Sequence, residues 1–380
     1  MKNLLWPVIS LIVILVVTVV VYFYSTGYRV NTIKKEITPT GMIAVKSIPD
    51  GAQVYLEGSL TTATNGTIQS LKPGSYNLKI VKNGYAPWEK NVEVFEQLVT
   101  DITGILVSKT PRLEPLTSTG ARTPVISPTL TKIAYFTKDG NDPGVWVFPL
   151  GGNLQVNLFK TSPSVILEDT SRIIYSNGES LDWSPDEKEI LVKMKDKSFF
   201  LVDLQSGNFE ATTSAQAIKE SWLSEVTKKR ELFLSKLSVP EELLKIAKDQ
   251  QTVWSPDEKK FLYKEEENGV INYKIYDLEK PLPIGEKTSY TTLSLKKTDK
   301  EPKVYWYNDS FHLILVEGEI EKEKKGTIYL IRIDGTNKTE IYNNTLYSDI
   351  AFPTPSGDKI VVLSSFKSDG QTDLYAIGIR

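Results

Sequence analysis

The hydrophobic and polar positions fall into four successive textures. In the first, Leu4 to Tyr24 (LLWPVISLIVILVVTVVVYFY) carries no charge. At about 1.5 Å per residue, a helix of about 21 residues spans about 30 Å, the thickness of a bilayer core. Backbone groups there can satisfy only one another, and a helix does this. Trp6 at one end and Tyr22, Phe23 and Tyr24 at the other match interfacial aromatics. Pro7 falls in the first turn, where its missing N–H costs little. Residues 1–27 therefore read as a single transmembrane anchor, with the lipid bilayer as partner through Leu4–Tyr24. A cleaved leader would carry an apolar core of about 7–15 residues and a small-x-small site, of which Ser25 and Gly27 make a poor version. Lys2 precedes the span, whereas Arg29, Lys34 and Lys35 follow it. That count alone would put the C-terminal side in the cytoplasm. Residues 28–40 are polar and read as a stalk.

From residue 41 to 108 the pattern turns to short alternating strands. Met42–Ser47, Gln53–Leu56, Tyr76–Val81, Asn91–Val94 and Thr100–Val107 have period 2 or β-branched enrichment. Turn residues separate them, including Pro49-Asp50-Gly51, Lys72-Pro73-Gly74 and Asn83-Gly84. The pattern predicts a small β-sandwich, with positive φ at Gly51, Gly74 and Gly84.

Residues 109–380 repeat. Trp183-Ser-Pro185-Asp186 runs into Ile190-Leu191, and Trp254-Ser-Pro256-Asp257 runs into Phe261-Leu262. Weaker copies are Ile126-Ser-Pro128-Thr129, Trp306-Tyr-Asn308-Asp309 and Thr354-Pro355-Ser-Gly-Asp358. The markers Pro128, Pro185, Pro256, Asn308 and Pro355 are spaced by about 57, 71, 52 and 47 residues. A second strand follows each copy: Val145–Leu150, Phe199–Leu204, Ile271–Leu278, Thr327–Ile333 and Asp373–Ile379. Repeats of about 40–55 residues are propeller blades, which bury their faces only against neighbours. The pattern predicts five blades, with a sixth, degenerate one conceivable within residues 155–180. In the Trp-Ser-Pro-Asp copies Pro sets φ, Asp accepts loop N–H groups and Trp packs between blades. The chain ends after a blade's third strand, and residues 112–118 are the candidate for its missing outer strand.

The longest spacing holds the fourth texture, residues 214–249. Ile218, Trp222, Val226, Phe233 and Leu237 keep helical spacing. Ser238-Val-Pro-Glu241 has capping-box spacing ahead of a second helix, 239–249. The segment reads as a helical hairpin inserted between blades. It is either a cover on the propeller's side or mouth, or an arm with Trp222 and Phe233 as candidate partner-docking residues.

Composition narrows the chemistry. The chain has 380 residues, formal net charge -2, no cysteine and one histidine. Disulfides, thiolate sites and cysteine nucleophiles are excluded. Near-zero charge argues against nucleic acid as a partner. His312 aligns with Lys260 and Glu189, positions that read as solvated, so a histidine-based triad is not expected. Asp186 and Asp257 are oxygen ligands in principle, but isolated turn carboxylates read as structural. Asp139-Gly-Asn141-Asp142 offers oxygens without an EF-hand's spacing or closing Glu. Glu265–Glu267 and Glu319–Lys325 read as solvated hairpin loops. No phosphate loop or dinucleotide fingerprint appears. No catalytic residue, cofactor or metal is assigned.

Two resemblances follow from these motifs. Pro49-Asp50-Gly51-Ala52, then Pro73-Gly74-x-Tyr76 and Gly84-Tyr85-x-x-Trp88, resemble the PEGA domain, with Asp in place of the acidic Glu. The resemblance implies a small β-sandwich of extracytoplasmic, surface-layer or membrane-anchored proteins, without catalytic residues. Tyr76, Tyr85 and Trp88 are candidate core aromatics; a sugar-binding face is the alternative for Tyr85 and Trp88. The Trp-Ser-Pro-Asp copies resemble TolB-like and WD-repeat-like β-propellers. The expected fold is mainly β: a transmembrane helix, a PEGA sandwich at 41–108 and a propeller at 109–380. The expected function is non-enzymatic: a membrane-anchored extracytoplasmic binding or scaffolding protein. Its propeller would present a surface to an envelope protein or glycan, and the PEGA domain would serve as spacer or envelope contact. The alternatives are a TolB-like envelope or transport component and a carboxylate-based propeller hydrolase or lyase.

Overall fold

The computed structural model describes residues 2–25, 28–31, 36–138, 140, 142–151, 163–367 and 370–380. It divides into two compact units, residues 1–107 with 281–287, and residues 108–280 with 288–380.

The first unit opens with helix α1, Lys2–Ser25, whose 18-residue window Trp6–Phe23 has mean hydropathy 2.7 and no buried residue. It is long and apolar enough to cross a membrane. The segment read as a stalk contains a two-stranded antiparallel ribbon, Tyr28–Asn31 against Glu36–Pro39.

Residues 41–105 form the sandwich. In one sheet Gly41–Ile48 is central, antiparallel to Gly66–Leu71 and parallel to Val99–Ile105. The other sheet runs Ser59–Ala63, Gln53–Leu56, Gly74–Val81, Trp88–Val94. Alternate residues of both sheets meet in one core: Ile43, Val45, Val54, Leu78, Ile80, Val92 and Ile102. The predicted strands are present. Ser59–Ala63 and Gly66–Leu71 were not predicted, because their Ser, Thr and Gln carry little hydrophobic pattern.

The second unit contains five four-stranded antiparallel sheets. Blade 1 comprises Arg122–Ile126, Lys132–Thr137, Gly144–Pro149 and Ser164–Glu168; blade 2 comprises Gly178–Trp183, Glu189–Met194, Phe199–Asp203 and Phe209–Thr212. Blade 3 comprises Val253–Trp254, Lys260–Glu267, Val270–Asp277 and Ser289–Lys296. Blade 4 comprises Lys303–Trp306, His312–Glu317, Lys325–Arg332 and Thr339–Thr345. Blade 5 comprises Ala351–Pro353, Lys359–Ser364 and Asp373–Gly378. The second strands of blades 1, 2, 4 and 5 are largely buried on both faces and read as apolar runs, whereas that of blade 3 is buried only at its start and exposed over Lys264–Glu267. In blade 1, Ile133 and Tyr135 pack toward blade 5, while Ala134 and Phe136 pack toward blade 2.

The second unit has no sixth sheet among the described residues. Ser164–Glu168 is the outer strand of blade 1, Tyr175–Asn177 is a 3-10 turn, and Gly178 opens blade 2. Residues 152–162 lie outside the described residues. The outer strand of blade 5 is Leu113–Pro115, paired antiparallel with Tyr375–Ile377. The beginning of the unit thus completes its last blade.

A buried carboxylate locks this closure. Asp373 accepts hydrogen bonds from Thr117 Oγ1 and Gly120 N, both 2.9 Å, and Lys367 Nζ lies 2.8 Å from its other oxygen. Thr117 Oγ1 in turn accepts from Leu374 N at 2.9 Å. Removing the carboxylate strands buried donors, at about 1–3 kcal/mol each. Asp373→Ala is therefore expected to destabilise the propeller by about 3 kcal/mol in chemical denaturation. Deleting residues 109–120 is expected to lower its melting temperature more steeply than this single substitution. An unchanged melting temperature for the deletion would refute closure by this strand.

Candidate functional site, the central cavity and its helical wall

The five turns that begin the second strands are built alike. In blade 2, Ser184 Oγ accepts from Glu189 N and donates to Asp186 Oδ1, at 2.9 and 2.8 Å, and Asp186 accepts from Lys188 N. In blade 3, Ser255 Oγ accepts from Lys260 N and donates to Asp257, at 2.9 and 2.6 Å, and Asp257 accepts from Lys259 N. The fourth turn residue has positive φ in every blade: Leu130, Glu187, Glu258, Ser310 and Gly357. Pro185 and Pro256 set the residue before each Asp. Only Gly357 among the five lacks a side chain, and a Cβ there would lie 2.4 Å from Asn308 Oδ1 and 2.6 Å from Tyr307 Oη.

The motif tryptophans do different jobs. Trp183 Nε1 donates to Val125 O of blade 1 at 3.1 Å, and Trp306 Nε1 donates to Val253 O of blade 3 at 3.0 Å. Trp254 Nε1 donates instead to Ala247 O at 3.2 Å, in the inserted hairpin. The expectation that Trp254 packs between two blades is thus corrected. Helices α2, Ala215–Leu234, and α3, Glu241–Lys248, form the hairpin. One face of blade 3 packs on blade 4 through Leu262, Tyr273 and Ile275. Its other face, with Phe261, Tyr263 and Tyr276, packs on Leu234, Leu243, Leu244 and Ala247 of the hairpin. Lys219 of α2 pairs with Asp182 of blade 2 at 2.7 Å. The insertion is a helical wedge where a further blade would stand.

Its details differ from the sequence pattern. The N-cap of α3 is Pro240, without a side-chain cap bond, so Ser238 forms no capping box. Leu237 lies beyond the end of α2. Phe233 packs into the core against blade 3, and Trp222 is half-buried; the large apolar residues α2 leaves exposed are Leu223 and Leu232.

A cavity of about 1100 Å³ is walled by all five blades and α2. Ile126, Trp183, Trp254, Tyr305, Trp306 and Phe352 form its apolar wall. The turns bring Pro185, Asp186, Pro256, Asp257 and Glu258 to its rim, and α2 brings Glu225, Val226, Lys229 and Arg230. Lys229 pairs with Glu258 at 2.7 Å, and the Arg230 guanidinium lies 4.9 Å from the Trp254 ring centroid. Periodicity did not single out Arg230, because it marks apolar positions.

The turn carboxylates are tuned by their partners. The Lys188 and Ser184 side chains hold Asp186 at about 2. Burial works to raise Glu187, Asp257 and Asp358, but hydrogen bonds keep each below its ordinary value. Glu187 reaches into blade 1, accepting from Thr129 N at 2.7 Å and Thr129 Oγ1 at 2.6 Å. The positions read as solvated at the start of the second strands are largely not so. His312 is 3% exposed, with Nδ1 2.7 Å from Asp309 Oδ2. Lys260 is fully buried, 3.4 Å from Asp277 and 3.5 Å from Asp257. Both lie between packed blades, where an ion can persist only beside a countercharge. Burial raises Asp277.

In the sandwich, Trp88 is 2% exposed in the core, and Tyr76 and Tyr85 are half-buried against it. A sugar-stacking face at Trp88 is therefore closed. The Pro49–Ala52 turn is tied down from two sides. Lys82 Nζ donates to Asp50 O at 2.5 Å, and Ala52 N donates to Thr64 Oγ1 at 2.9 Å. Gly51, Gly74 and Gly84 all have positive φ. Glu319–Lys325, read as a loop, includes a one-turn helix, Ile320–Glu323. Asp139 and Asn141 of the candidate calcium loop lie outside the described residues. Among the described residues no group of three acidic or histidine side chains could hold a metal.

Residues 40–109 match the PEGA domain family. The chain thus carries a region similar to the PEGA domain, followed by a unit of five four-stranded sheets. No curated protein sequence matches it significantly. Solved structures with likeness to it include TolB from Acinetobacter baumannii, at 14% identity and TM-score 0.26, covering 80% of this chain. The match spans 60% of that TolB chain. A chain of the mitotic checkpoint complex, at 13% identity and TM-score 0.36, covers 71% of this chain and is itself covered to 92%. An oligogalacturonate lyase in complex with manganese, at 11% identity and TM-score 0.29, covers 72% and is covered to 95%.

Two outcomes test these contacts. Trp254→Phe keeps an aromatic ring but loses the pyrrole part of the indole with its N–H bond to Ala247, and the lost bond alone costs about 1 kcal/mol. Amide exchange across α3 is expected to quicken about fivefold, with blades 1 and 5 unchanged. The lowered carboxylates contribute stability that is fully present above about pH 4.5, their unfolded range. It is lost as pH falls through their folded values toward 2. Asp277 acts oppositely, because its raised value makes protonation favour the folded state. Melting temperature is expected to hold from pH 7 to 5 and fall from pH 4 to 2. Glu187→Gln is expected to shrink that fall.

Proposed function

We propose that the chain is a membrane-anchored, extracytoplasmic binding or scaffolding protein. In this reading α1 is an uncleaved anchor with its N-terminus in the cytoplasm. The PEGA domain is a spacer or envelope contact, and the propeller presents the interaction surface for a protein or glycan. The observation that carries the reading is the cavity walled by five blades and α2. Such concave sites, with few polar groups on an apolar wall, are where propellers and other folds receive ligands. The apolar, exposed Trp6–Phe23 window of α1 and the PEGA match support attachment to the envelope.

The reading is non-enzymatic. Asp186, Asp257 and Glu258 at the rim are engaged with Lys188, Ser255 and Lys229. Asp186 and Asp257, held below the ordinary carboxylate range by their hydrogen bonds, are poor general acids or bases at neutral pH. Nucleic acid and small-molecule cofactors have no part in it.

Two measurements test the reading. A C-terminal alkaline phosphatase fusion is expected to be active, and a C-terminal fusion that fluoresces only in the cytoplasm is expected to be dark. The reverse pair would overturn the orientation. Because the chain lacks cysteine, Lys229→Cys carries one thiol cross-linker to the cavity rim. In intact cells it is expected to trap a discrete partner that Lys195→Cys, on an exposed hairpin turn, does not trap. Equal capture by both positions would count against the cavity as the binding site.

A further inference from the structure

Arg230 is the group in the cavity wall that the fold does not use up. Its Nε is buried without a hydrogen-bond partner. Among the described residues no carboxylate pairs with its guanidinium within 4 Å, although it lies 4.9 Å from the Trp254 ring centroid. The nearby charges are occupied. Lys229 pairs with Glu258 at 2.7 Å, Asp186 with Lys188 at 2.9 Å, and Asp257 with Lys260 at 3.5 Å. Glu225 is exposed. The three indoles donate their N–H groups to Val125, Ala247 and Val253. The strongest donor left to a ligand is therefore the Arg230 fork. A buried donor without an acceptor costs free energy, and a carboxylate recovers it through two parallel charge-assisted bonds.

We propose that the cavity binds an acidic peptide segment, with Arg230 anchoring a ligand carboxylate against the Trp254 ring. This rests on reading the propeller as a binding module. Three features favour a peptide over an acidic sugar. Sugar rings stack on open aromatic faces, but Trp183, Trp254 and Trp306 are 9%, 9% and 6% exposed. Ile126, Val226, Val304 and Phe352 add apolar wall suited to side chains. The volume of about 1100 Å³ exceeds most small-molecule pockets, which are about 300–1,000 Å³. Burial lowers the pKa of Arg230, the charge of Glu258 opposes that shift, and the guanidinium stays protonated at neutral pH.

The test uses the full chain in detergent and two fluorescent hexapeptide pools. One pool contains Asp and Glu; the other has Asn and Gln at the same positions. The acidic pool is expected to bind at least tenfold more tightly. Arg230→Gln should abolish that preference, and Arg230→Lys, which keeps charge but not the fork, should leave it intermediate. Lys195→Gln, on an exposed turn outside the cavity lining, should preserve it. Equal binding of the pools, an unchanged preference in Arg230→Gln, or tighter binding of trigalacturonate than of the acidic pool would overturn the proposal. If Lys229→Cys still traps its partner while Arg230→Gln changes nothing, the binding module stands and the carboxylate anchor falls.

Discussion

A four-stranded blade has an apolar layer on each face, and neither can be left in water. Everything in the propeller follows from covering both. Blades 1 and 2 cover each other through Phe136, Val145, Trp183 and Val192. Blades 5 and 1 do so through Ile133, Tyr135, Phe352 and Val361. Closure has to be non-covalent, because the chain contains no cysteine. The Leu113–Pro115 strand and the Asp373 clasp supply it, joining residues about 250 positions apart. Such a contact carries a large loop-closure cost, which grows only slowly with length.

The same constraint explains the hairpin. Blade 3 buries one face on blade 4, and its other face needs a partner. Two helices supply it, and Trp254 turns its N–H to Ala247 of α3 rather than to a strand. The substitution has a chemical consequence. An inner strand lines a channel with alternating side chains, whereas α2 brings long cationic ones, Lys229 and Arg230, to the cavity. Lys229 is neutralised by Glu258, while among the described residues no carboxylate pairs directly with Arg230, whose Nε has no hydrogen-bond partner. The wedge that completes the packing therefore also sets the polarity of the cavity.

Much of this was legible from residue patterns. The Ser-Pro-Asp copies marked the turns, because a hydroxyl, a fixed φ and a carboxylate satisfy the same loop N–H groups each time. The second and third strands of most blades stood out as apolar or alternating runs, since they lie inside each sheet. The PEGA turn and aromatics marked the sandwich. Outer strands such as Phe209–Thr212 and Ser289–Lys296 were not legible, because they lie at blade edges and carry mixed polar residues. His312 and Lys260 were misjudged for a related reason. Local pattern treats an ionisable residue beside a turn as solvated, while a countercharge from Asp309 or Asp277 makes its burial possible.

Sequence by itself determined the apolar α1, the sandwich, the repeating turns, the helical insertion and the candidate closing strand. These are local properties: hydrophobic period, turn chemistry, and the number of strands between repeats. Tertiary structure alone decided which face of each blade meets which neighbour. It placed the hairpin as a wedge rather than a free arm, took Phe233 into the core, and brought Arg230 to the cavity. Those outcomes depend on contacts between residues far apart in the chain, and burial energy is settled only when the partner surface arrives.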